Sequence, residues 1–62
     1  MKNLNLKIAR IRKCLTQENL AEKANLSKQY ISLLESGKAI NPSLKTIRKL
    51  AEILEVEIED IF

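Results

Sequence analysis

Apolar residues recur at three- and four-residue spacing along most of the chain, and no segment shows the strict alternation of a half-buried strand. Between residues 16 and 37 the apolar positions are Leu20, Ala21 and Ala24, then Leu26, then Ile31 and Leu34. That spacing predicts two short helices, 17–24 and 28–36, on either side of a tight turn. The polar residues between them agree. Thr16 and Ser27 stand where a hydroxyl accepts an orphan backbone N–H at a helix start. Asn25 falls where the first helix must stop, and Asn is the non-glycine residue that best tolerates the left-handed conformation. Gly37 closes the second helix, and small Ala21 lets the pair cross closely. Upstream, a helix is expected from Asn3 or Asn5 to about Lys13. Downstream, Pro42 and Ser43 open a fourth helix with an apolar stripe of Leu44, Ile47, Leu50, Ala51 and Leu54. A short last helix covers about 58–61. The expectation is an all-α, compact five-helix single domain over 1–62.

The first helix carries a second pattern. Leu4, Ile8, Ile11 and Leu15 fall within about 60° of one another at ~100° per residue. Leu15 belongs to the loop that follows and is expected to be buried. Either the other three form an exposed apolar strip, and hence a contact surface, or the helix is rotated so as to bury them.

Composition narrows the class. Sixty-two residues suffice for one small domain. With one Tyr and one Phe the core must be aliphatic. One cysteine, Cys14, excludes an internal disulfide, and the absence of histidine excludes a Cys/His zinc site. No run is apolar enough for a membrane span and no signal peptide is visible, so a cytoplasmic, nucleoid-associated protein is expected. Nothing points to an enzyme, a cofactor or a small-molecule ligand: histidine, a Gly-rich phosphate loop and a pocket-forming pair of acids are all missing.

Charge is unevenly distributed. Through Leu50 the chain carries eleven Lys and Arg against three acids, a net +8. From Ala51 onward there are five acids and no base, a net −5. The basic section contains the paired helices, which points to a phosphate-facing surface with the acidic end turned away.

The ordered fragments Leu6-x-x-Ala9-Arg10, Leu15-Thr16-Gln17-x-x-Leu20-Ala21-x-x-Ala24, Leu26-Ser27-x-x-Tyr30-Ile31-Ser32-x-Leu34-Glu35-x-Gly37, Asn41-Pro42-Ser43-Leu44 and Leu50-Ala51-x-x-Leu54-x-Val56, ending in Ile61-Phe62, resemble the lambda-repressor-like, Cro-type (XRE) helix-turn-helix family. Each fragment alone is mostly helix punctuation and core, whereas their joint order and spacing are specific. The resemblance covers nearly the whole chain, with the helix-turn-helix at about 16–36. It implies that the third helix enters the major groove of double-stranded DNA.

Position by position, the resemblance makes Lys28, Gln29, Ser32 and Leu33 the base readers. Gln29 suits a bidentate pair with adenine and Lys28 suits guanine or phosphate, whereas Ser32 discriminates little. Leu33 either touches a thymine methyl or packs against a neighbouring helix. The resemblance also implies phosphate contacts from Gln17, Tyr30, Ser36, Lys38, Asn41, Ser43 and Lys45, although Tyr30 has a packing role as its alternative. In the family the glutamine matching Gln17 also braces the glutamine matching Gln29. Arg10 and Glu35 match a buried structural ion pair. Three positions depart from the pattern: Cys14 and Glu55 stand where Gly often ends a helix, and Glu57 stands where Ser or Thr commonly caps the last one.

The expected function is a sequence-specific transcriptional regulator, a small bacterial or phage repressor binding a palindromic operator as a homodimer. Its dimer interface is expected at Val56, Ile58, Ile61 and Phe62. The alternative is a helix-turn-helix protein-interaction module, an antitoxin or adapter, with DNA binding secondary.

Overall fold

The computed structural model describes residues 2–37 and 41–62, with side chains from Leu6 onward. Among the described residues five helices follow one another: α1 (Lys2–Arg12), α2 (Gln17–Ala24), α3 (Lys28–Ser36), α4 (Leu44–Leu54) and α5 (Ile58–Ile61). No strand occurs among the described residues.

Helix starts are fixed by short polar side chains. Thr16 Oγ1 accepts from Asn19 N at 3.0 Å, and Asn19 Oδ1 accepts from Thr16 N at 3.3 Å, a reciprocal box that satisfies two orphan donors. Ser27 Oγ accepts from Tyr30 N, and Ser43 Oγ from Thr46 N. At the start of α5, Asp60 Oδ2 accepts from Glu57 N at 2.9 Å, which satisfies the N–H of the cap residue itself.

Helix ends repeat one device. Cys14, Asn25 and Glu55 each adopt φ 59°, in the left-handed region. After each, the next residue's N–H donates five positions back: Leu15 to Arg10 O, Leu26 to Ala21 O and Val56 to Ala51 O. Only Gly37, φ 79°, makes its left-handed turn without a Cβ to accommodate. Cys14 and Glu55 therefore carry the strain expected of side-chain-bearing residues at those positions.

These reversals fold α1 against α3 and α5, α2 against α3 and α4, and α4 against α5. The core is aliphatic: Leu6, Leu20, Ile31, Leu50 and Ile61 are fully buried, with Leu34, Leu54 and four alanines around them. Leu15, Leu26, Tyr30, Ile53, Val56, Ile58 and Phe62 pack against its edge. Two expectations need correction. Leu44 does not join the buried stripe of α4; it is 55% exposed, because the stripe runs one turn past the helices that cover it. Ile61 cannot serve a dimer interface from inside the core, where α1 and α4 enclose it.

Candidate nucleic-acid interface

α3 is placed by its inward residues. Ile31 and Leu34 are buried, and helical periodicity then turns Lys28, Gln29, Ser32 and Leu33 outward. All four are exposed, and none of the three polar side chains has a hydrogen-bond partner among the described residues. Leu33 is exposed, with 42% of its surface open, and does not belong to the core cluster or its packed edge. Tyr30 is half-buried and lies against the core, which is the packing alternative of its two expected roles.

Gln17 is the first residue of α2, an eight-residue helix whose unpaired N–H groups and dipole favour an anion. Its side chain does not reach Gln29. Gln17 Nε2 donates to Glu35 Oε1 at 3.0 Å. That carboxylate also receives Arg10, with Nε on Oε2 at 2.5 Å and Nη2 on Oε1 at 3.2 Å, while Arg10 Nη1 donates to Leu15 O at 2.8 Å. The Arg10 and Glu35 side chains retain only 11% and 4% exposure. One buried carboxylate thus joins α1, the loop before α2, the start of α2 and the end of α3. Sequence reasoning paired Arg10 with Glu35 by resemblance but missed the Gln17 bond, which spans 18 residues and leaves no local signal.

Around α3, Ser36 Oγ donates to Leu33 O, and Ser43 Oγ shares a hydrogen bond with Thr46 Oγ1 while capping α4. Asn41 and Lys45 are exposed, and Lys38 lies outside the described residues. Away from α3, Lys13 Nζ meets Glu55 Oε1 at 2.7 Å on the surface. The hydrogen bond and charge of Lys13 hold the Glu55 carboxyl below its ordinary value of 4.5. This pair, 42 residues apart in sequence, was also not foreseen. No described helix is long and apolar enough to cross a membrane, and no cluster of potential metal ligands occurs among the described residues.

An eight-residue helix, a three-residue reversal through Asn25 and a following helix with a polar outward face define a helix-turn-helix protein. The helix-turn-helix family model matches residues 6–61, and the chain belongs to that family, in its lambda-repressor-like branch of DNA-binding transcriptional regulators. It is 50% identical over 62 residues to an uncharacterized HTH-type transcriptional regulator of Methanocaldococcus jannaschii, a match covering all of this chain and 91% of that one. It is 41% identical over 56 residues to the immunity repressor of Bacillus phage phi105, covering 90% of this chain but only 38% of the repressor. The crystal structure of the biofilm master regulator SinR in complex with DNA superposes with a TM-score of 0.84 at 33% identity, over 94% of this chain and 92% of that one.

Proposed function

We propose that this regulator is a repressor that binds a palindromic operator as a homodimer, with α3 in the major groove. The reading rests on one observation: Lys28, Gln29, Ser32 and Leu33 stand exposed together on α3, and the polar three make no side-chain hydrogen bond among the described residues. A side-chain row of that kind is available for base edges. Gln29 reads adenine, Lys28 guanine, and Leu33 a thymine methyl. Gln17, Ser36, Asn41, Ser43 and Lys45 hold the phosphate backbone, with Tyr30 at the margin and Lys38 assigned by resemblance alone. One small domain reads few base pairs, so two half-sites supply the specificity. The repressor character of the phage relative and the DNA in the SinR complex support the same reading.

The interaction-module reading keeps one observation of its own: Ile8 is 47% and Ile11 55% exposed, so α1 is not rotated to bury them. Binding to duplex DNA across salt concentrations separates the two readings. DNA recognition predicts a steep fall of log affinity with log salt, whereas a slope near zero would favour the module. Within the DNA reading, Gln29→Ala should cost about 1–3 kcal/mol on the best site and little on random duplex. Lys45→Ala should weaken both alike. Equal losses on both sequences for the two variants would refute the division into base readers and phosphate holders.

A further inference from the structure

Gln17 is expected at a phosphate because it opens α2, yet its amide is not left to solvent. A side-chain amide nitrogen carries two hydrogens. One of Gln17's is committed to Glu35 Oε1 at 3.0 Å. The acceptor cannot swing away, because the Arg10 fork grips both of its oxygens and the Glu35 side chain is 4% exposed. Nor can the fork swing, since its remaining nitrogen is tied to Leu15 O, two residues before Gln17. Arg10 neutralises the carboxylate, so a phosphate approaching Gln17 does not meet a net negative group.

We propose that Glu35 is the positioning residue of the α2 phosphate contact. Its buried carboxylate fixes the Gln17 amide plane so that the second Nε2–H is presented to a DNA phosphate. The amide then bridges two anions, one inside the protein and one on the DNA, and the register of α3 is coupled to the backbone contact of α2 through a single side chain of α3. Gln29 is then not braced by Gln17, and its exposed side chain remains available to bases. The inference rests on Gln17 contacting phosphate, as the functional reading holds.

The test is a double-mutant cycle on the intact chain. Arg10→Met with Glu35→Leu replaces the buried pair by apolar residues, so no unpaired charge is left behind. Affinity for a duplex carrying the best operator is measured for wild type, Gln17→Ala, the double replacement and the triple variant, with melting temperatures alongside. Gln17→Ala should weaken wild-type binding about tenfold, roughly one hydrogen bond to a charged group, and the apolar-pair background by less than about twofold. Equal losses in both backgrounds would overturn the positioning role. No loss from Gln17→Ala in wild type would instead remove the phosphate contact itself, and the inference with it.

Should the apolar pair fail to fold, side-chain amide NMR of the wild type decides. One Gln17 amide proton should be shifted and exchange-protected in the free protein, with the other responding only when duplex is added. A Gln17 amide as solvent-like as that of Gln29 in the free protein would overturn the proposal.

Discussion

Cys14 and Glu55 share the backbone geometry of Asn25, φ 59°, without an Asn side chain to ease it. A Cβ in the left-handed region costs about 1–2 kcal/mol, part of which glycine gives back through the greater entropy of its unfolded chain. Cys14→Gly should therefore stabilise the domain by about 0.5–1 kcal/mol, raising the thermal midpoint by roughly 2–8 °C. Calorimetry on the two proteins measures it. At Glu55 the same replacement also removes the Lys13 ion pair, so a smaller gain is expected there. That pair sets a pH dependence. The folded-state carboxyl of Glu55 is depressed, so its contribution is present above the unfolded value and is lost as acidification passes through the folded one. Wild type should lose more of its melting temperature than Glu55→Gln as pH falls from neutral to below 4.5, and a parallel fall of both proteins would contradict this. The left-handed turns at Asn25 and Gly37 were legible from sequence because Asn and Gly tolerate that geometry, whereas at Cys14 and Glu55 the resemblance marked only positions where glycine often ends a helix. The Lys13–Glu55 pair was not, because surface charges 42 residues apart carry no local pattern.

At the scale of elements, the order and limits of α2, α3 and α4 follow from local chemistry: a hydroxyl at each start, a left-handed residue at each end and apolar spacing between. The limits of usefulness of that spacing appear in α4. Its periodicity continues to Leu44, but periodicity reports which face turns inward and not where the covering helices stop. The short span of α5 was foreseen, whereas the assignment of Ile61 to a partner fails because that side chain is enclosed in the core. The Arg10–Glu35 pair binds three elements, and its energetics are asymmetric. Arg10→Met alone leaves a buried carboxylate with only Gln17, and about 3–5 kcal/mol should be lost. Arg10→Met with Glu35→Leu should recover most of that loss. Urea titrations of the single and double variants make the comparison, and a double variant no more stable than the single one would show the pair to be worth more than its apolar replacement.

For the molecule as a whole, measuring 24 × 22 × 20 Å, the proposed homodimer calls for a surface on which two copies could meet. Val56, Ile58 and Phe62 remain partly uncovered at the acidic end and form the proposed dimer surface. With Glu55 paired to Lys13, the repulsion between copies falls on Glu57, Glu59 and Asp60. Association should then tighten as salt screens these charges, while DNA binding weakens. Sedimentation of wild type and Phe62→Asp across salt concentrations tests the surface. Dimers indifferent to Phe62→Asp would move the interface to Ile8 and Ile11 on α1.

The repeated left-handed helix ends have a consequence for lifetime. Each reversal is closed by a hydrogen bond only five residues long, and three of the four links between helices span three or four residues. Chains dominated by such local closures refold in microseconds to milliseconds. A peptidase then meets an open form that recloses before most cuts are made, and the rate of removal tracks the equilibrium population of that form, not the rate of opening. How long a molecule of this regulator persists is thereby governed by small increments in stability, including the strain held at Cys14 and Glu55.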